Sequence, residues 1–244
     1  MAPWIDELEN QQWIIEHSEE ILAFYGEEPF WADEPVPLKG QWESLHQSDP
    51  EAAAQAVAES WVTELGLPFE GVTVASMEEP GIFFDVQEGE IQIDLNEFDL
   101  KQPQTMLAVL SLAIAGIFIS MKRPDSGQGW HEDEEMPITT LIAILLGFGP
   151  YICLAQWNSE NSSNNSDNSE NPGNSEKSDN LKNSEKAPAF DSGMSHLECC
   201  FAQAYVCFIF EQDFTSFQNR FDANSREPVA DALSYMMQME AQQQ

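Results

Sequence analysis

Residues 105–122, TMLAVLSLAIAGIFISMK, form an almost unbroken apolar run in a chain whose net charge is -34. A helix built from such a stretch has no polar face to give to water, so it must be buried in protein or in lipid. The apolar part, 106–121, is shorter than the roughly 20 residues needed to span a bilayer. A second apolar stretch, 137–157 (PITTLIAILLGFGPYICLAQW), is long enough, but Gly147, Gly149 and Pro150 interrupt it. Pro150 lacks a backbone donor, a loss that lipid tolerates less well than protein does. The two stretches are therefore expected as central helices of a soluble domain, with a two-helix membrane hairpin at 106–121 and 137–157 as the alternative.

The rest of the chain supports a core. Hydrophobic residues make up 42% of the sequence, enough to exclude wholesale disorder. The 43 acidic residues against 9 basic ones exclude nucleic-acid binding, which needs Lys and Arg to neutralise phosphates, and argue against docking on anionic lipid. Solubility or a saline habitat accounts for the acidity. A basic protein partner drawn in by the opposite field is the sharper reading. The start, MAPWIDELENQQW, has neither a basic nor an apolar leader region, so a cytoplasmic protein is expected. Cys153, Cys199, Cys200 and Cys207 do not form a disulfide framework and read as free thiols.

Residues 5–25 carry apolar side chains at helical spacing. The Pro-rich stretch GEEPFWADEPVPLKG that follows reads as a loop. A helix over 49–65 has Ser48 or Asp49 as its cap and Pro50 in its first turn, and Gly66 and Pro68 end it. Over 81–95 (GIFFDVQEGEIQIDL) the period drops to two around Gln87-Glu88-Gly89, which predicts a β-hairpin, and Val72–Val74 offers an earlier strand. Helices follow over about 103–121, 137–157, 194–212 and 227–240, the last with Glu227 and Pro228 in its first turn. Residues 158–186 are almost pure Asn, Ser, Glu, Asp and Lys and are expected to be disordered. The expected fold is α+β and mainly helical, with a small hairpin or sheet beside a core of buried helices. An N-terminal helical region (1–66) joins a core formed by 67–157 and 187–244, with 158–186 as an insertion.

The order of elements from about Pro80 to Asp213 resembles a poorly characterised bacterial family with a zincin-like metallopeptidase core. That family reads roughly P-x-x-L-V-A-T-L-A-H-E-L-A-H on one helix, L-T-D-L-L-T-V-F-L-G-F-G on the next and L-S-E-x-x-x-x-Y-A-L-A on a third. This chain offers PQTMLAVLSLAIAG at 103–116, ITTLIAILLGFG at 138–149 and MSHLECCFAQAYVCF at 194–208. The resemblance implies a zincin-like fold and a zinc site of two His at i and i+4 with an intervening Glu. Here those positions hold Leu112, Gly116 and Ala113, and the acidic position of the second helix holds Thr140. None of the four binds zinc or moves a proton. The resemblance thus implies a pseudoenzyme with no catalytic residue, metal or cofactor, acting by protein binding.

Two other clusters carry potential ligands. His131 with Glu132, Asp133, Glu134 and Glu135 offers hard ligands, but it lacks the pattern of a calcium loop and reads as a solvated acidic loop. His196, Cys199 and Cys200 stand at i, i+3 and i+4 with Cys207 two turns on, a soft-metal or thiol-nucleophile pattern. Their neighbours Phe201, Val206 and Phe208 favour plain core packing. Phosphate-loop, nucleophile-elbow and dinucleotide motifs are absent from the sequence.

Overall fold

The computed structural model describes residues 8–30, 36–79, 81–87, 89–122, 135–167 and 190–243. It is mainly helical with one three-stranded sheet. The N-terminal helix α1 spans Leu8–Tyr25, and a 3₁₀ turn at Glu28–Phe30 follows it. The short helix α2 (Trp42–Ser48) leads into α3 (Pro50–Glu64). Asp49 caps α3 as the sequence predicts: its side chain accepts from the Ala52 amide at 3.0 Å, and Pro50 occupies the first turn.

The hairpin is β2 (Ile82–Gln87) and β3 (Glu90–Asn96), with Gly89 at φ +90° in the turn; Glu88 lies outside the described residues. The possible earlier strand is real. It is β1 (Gly71–Met77), and it pairs parallel with β3, so that the sheet order is β1-β3-β2 with β3 central. Val72 and Val74 of β1 and Ile91, Ile93 and Leu95 of β3 are buried on one face. The outer edge of β1 is covered by α3: Gln55 donates to the Val72 carbonyl and accepts from the Val74 amide, and Glu51 accepts from the Ser76 amide. Among the described residues, nothing comparable caps the outer edge of β2.

Asn96 caps α4 (Glu97–Lys101), and α5 (Pro103–Lys122) follows at once. It is the apolar run, and Leu110, Ala113, Ile114, Ala115 and Ile117 on it are all but completely buried. The second apolar stretch corrects the expectation of one helix. It is α6 (Glu135–Ala143), a π-helical turn (Ile144–Phe148) and α7 (Gly149–Asp167). The break is at Gly147, whose φ of +93° suits only a residue without a side chain. The carbonyl freed there accepts from the Val36 amide at 3.0 Å, and Tyr151 donates to the Val36 carbonyl at 2.6 Å. Gly149 has a separate reason: a Cβ there would lie 1.8 Å from Gln203 Oε1. The pattern LGFGP is therefore a kink with a tight helix contact. It also lets Trp61 stack near Phe148 and Tyr151, at centroid distances of 4.7 and 5.2 Å.

The helix α7 runs to Asp167, so the first ten residues of the segment expected as disordered, 158–167, are helical; 168–186 lie outside the described residues. Composition alone missed this because α7 enters the segment already nucleated, and helix propagation costs far less than a fresh start. The next helix, α8 (His196–Ile209), begins at a capping box in which Ser195 and Glu198 satisfy each other's backbone amides. After the single turn α9 (Phe214–Phe217) comes α10 (Ala223–Gln243). It starts four residues before the predicted point because Asp222 accepts from the Asn224 amide at 2.7 Å. Pro228 is thus inside the helix. α8 packs against α1, α7 and α10, and one continuous apolar core joins these helices to the sheet.

Candidate functional site

The helix α5 turns one face toward β2 and the first turns of α6, and an open groove of about 540 Å³ lies between them. Its floor is Leu112, Ala113 and Gly116 of α5. One wall is Ile82 and Phe84 of β2; the other is Glu135, Met136 and Thr139 of α6. Alternation along β2 produces this arrangement. Ile82 and Phe84 point inward over α5, while Phe83 between them points out and is 53% exposed. Val86 (38%) and Met136 (43%) are further apolar side chains left in water.

Three of the four positions singled out by the resemblance therefore share one place. Helical periodicity puts Leu112 and Gly116 one turn apart on the groove face, with Ala113 beside them. Gly116 lies directly under Phe84, and a Cβ built there would come within 2.6 Å of Phe84 Cε1. The ring takes the space that a side chain at 116 would fill. Thr140 is elsewhere: it is buried, and its hydroxyl donates to the Ser192 carbonyl at 2.6 Å, away from the groove. Its neighbour Thr139 faces the groove, and Glu135 is the acid that lines it. The zinc implied by the resemblance does not fit these residues, since Leu112, Ala113 and Gly116 offer no donor atom and Phe84 covers the last of them.

The other predicted clusters fare differently. His131, Glu132, Asp133 and Glu134 lie outside the described residues, whereas Glu135 opens α6. His17 stacks on Trp13 and bonds its carbonyl, and His46 bonds the Leu100 carbonyl at 2.7 Å. On α8 the thiols diverge. Cys199 turns to Ser192 (3.8 Å), Cys200 to His196 (3.4 Å to Nε2), and Cys207 to Gln203 (3.5 Å). Among the described residues, no three His, Cys, Asp or Glu side chains gather so as to hold a metal ion.

What the sequence did not reveal is a buried polar network around α8. Thr140 bonds the Ser192 carbonyl, and Ser192 Oγ lies 3.0 Å from Gln156 Oε1. Gln156 donates to Glu160 at 3.2 Å, and Glu160 accepts the His196 amide at 2.7 Å. The His196 ring contacts Ser225 Oγ at 3.1 Å, and Ser225 donates to Asp222 at 2.5 Å. Cys153 of α7 is buried and neighbours Cys200. The Cys153 thiol, with the His196 ring, holds the Cys200 thiol below the ordinary thiol range against the upward pull of burial. Cys153 is pushed up by Cys200 and by burial, and Cys199 by burial. Burial pulls His196 down, but Cys200, Glu160 and Asp222 together raise it above its usual value. Helical spacing reveals His196 and Cys200 as neighbours; nothing local in the sequence brings Cys153, Ser225 and Asp222 to them.

Comparison with protein-family models, with curated proteins and with solved structures finds no match for this chain.

Proposed function

We propose that this chain is a non-catalytic, zincin-like cytoplasmic protein that works by binding another protein at the groove beside β2. The observation that carries the reading is the chemistry of the groove floor. Leu112, Ala113 and Gly116 stand where metal ligands and a general base would be required, and they give a cleft that is open to solvent an apolar floor. Two features support a protein as the occupant. The outer edge of β2 has no partner among the described residues, and such an edge accepts an added extended strand through its backbone. Phe83, Val86 and Met136 add exposed apolar area around it. The net charge of -34, with Asp85 on β2 and Glu135 in the wall, selects a basic segment.

Titration with extended peptides that alternate apolar residues with Lys or Arg tests this. Binding is expected to weaken as salt rises, because exposed charge pairs are screened. Thr139→Arg and Ser120→Arg place like charge in the groove and are expected to weaken binding about tenfold or more, or ~1.4 kcal/mol. Peptides that bind these variants as well as the parent chain, or the failure of every such peptide to bind, would remove the reading.

One observation favours a second reading. Pro103–Met121 and Glu135–Asn161 are each long and apolar enough to cross a membrane, although most of each is buried within the fold. Fractionation separates the two. The folded soluble domain is expected in the supernatant without detergent, and recovery only in the membrane pellet would favour the hairpin.

A further inference from the structure

We propose that His196 is a proton-controlled clamp that holds the C-terminal helix α10 against α7 and α8, tightest below neutral pH and loosened above it. The inference is independent of the groove and stands on what surrounds the imidazole. His196 opens α8 and is 2% exposed, and three helices meet on its ring. Ser225 of α10 lies 3.1 Å from Nε2, Cys200 of α8 lies 3.4 Å from the same nitrogen, and Trp157 of α7 covers the ring with centroids 5.0 Å apart. The partners assign the tautomer. Ser225 gives its hydroxyl hydrogen to Asp222 at 2.5 Å, so its oxygen accepts from His196 and Nε2 carries the hydrogen. The Cys200 thiol donates to the Ser225 carbonyl at 3.8 Å. Nδ1 is then the ring nitrogen that takes up a proton, and an imidazolium keeps every one of these bonds.

Three acidic groups face the imidazole from the elements around it. Glu160 of α7 accepts the His196 amide at 2.7 Å, Asp222 stands behind Ser225 at the start of α10, and Cys200 shares Nε2. Burial opposes a charge on His196, as does the positive end of α8, but Cys200, Glu160 and Asp222 outweigh them and favour the imidazolium. Neighbouring charged groups are engaged elsewhere. Arg226 of α10 donates to the Gln218 and Phe221 carbonyls, Glu198 of α8 accepts from the Ser195 amide and from Asn10, and Glu19 of α1 meets Tyr205. A histidine whose value is raised on folding stabilises the fold in its protonated form. That contribution is complete below about pH 6.5, the ordinary histidine value, and is lost as pH rises through the folded value. The neutral ring keeps its bond to Ser225 but loses its attraction to Asp222 and Glu160. Asp222 and Ser225 anchor the start of α10, so this helix is the element that loosens. Its buried face is Val229, Ala232 and Met236.

Amide hydrogen exchange of the full chain tests this, read by mass spectrometry at about pH 6 and about pH 8.5, either side of the histidine range, and corrected for the intrinsic pH dependence of exchange. Protection of α10 is expected to fall several-fold across that interval in the parent chain, while protection of α5 stays unchanged. His196→Gln keeps a donor for Ser225 but cannot take up a proton, and in it the fall in α10 is expected to disappear. In Asp222→Asn, which keeps the cap but removes a carboxylate, the fall is expected to shrink. Proton NMR of the parent chain's histidines decides if a variant does not fold: His196 is expected to titrate above about pH 6.5. No fall in the parent, an equal fall in His196→Gln, protection that rises with pH, or a His196 that titrates below that value overturns the proposal.

Discussion

Ile114→Glu is expected to abolish folding, whereas Ala113→Glu leaves a folded protein. The two positions are adjacent on α5 and nearly equal in exposure, yet their surroundings differ. Both belong to the buried apolar core, but Ala113 also lies on the floor of the groove, which Ile114 does not line. A carboxylate at 114 has no partner, and removing an unpaired charge from water costs several kcal/mol or forces protonation. That is a large share of the roughly 5–15 kcal/mol by which a domain of this kind is stable. At 113 the side chain extends into an open cleft and keeps its water, so a cost of about 2 kcal/mol or less is expected. Circular dichroism and gel filtration of the two variants read the difference. Equal tolerance, or equal collapse, would mean that α5 is turned differently.

The contrast between neighbouring residues also separates what is legible in the sequence from what is not. Period and caps gave the hairpin, the start of α3 and most of the long helices, because those signals are local: alternation at Ile91, Ile93 and Leu95, and Asp49 before Pro50. The parallel pairing of β1 with β3 was not readable, since Gly71 meets Glu90 only through the tertiary fold. Gly147, Gly149 and Pro150 marked an interruption of the apolar stretch, but the partner of the kink, Val36, is remote in sequence. The groove was half legible. Helical spacing places Leu112, Ala113 and Gly116 on one face; that Phe84 covers Gly116 and that Thr140 turns to Ser192 depend on how β2 and α6 dock. The thiol network was the least visible part. His196 and Cys200 are one helical turn apart, but Ser225 of α10 and Asp222 just before that helix reach them from another part of the chain.

Rebuilding a zinc site on α5 is expected to give tight binding only when Phe84 is removed as well. Leu112→His and Gly116→His put two imidazoles one turn apart, and Ala113→Glu supplies the base. With Phe84 in place the ring occupies the position of the second imidazole, as the 2.6 Å approach to a Cβ at 116 indicates. Adding Phe84→Ala frees that space, and Glu135 in the same groove is the available third ligand. An acid placed at Thr140 is expected to add nothing, because that side chain points at Ser192. Retaining Phe84 is expected to weaken zinc affinity about 10- to 100-fold, the usual cost of disturbing the groups that orient metal ligands.

The most direct test of the claim that packing and docking replaced metal chemistry here is a zinc titration of the parent chain beside the rebuilt variant carrying Phe84→Ala. The parent is expected to take up no stoichiometric zinc, and the variant to bind one zinc that is lost on Glu135→Ala. Tight stoichiometric zinc on the parent chain, or none on a well-folded rebuilt variant, would contradict the account.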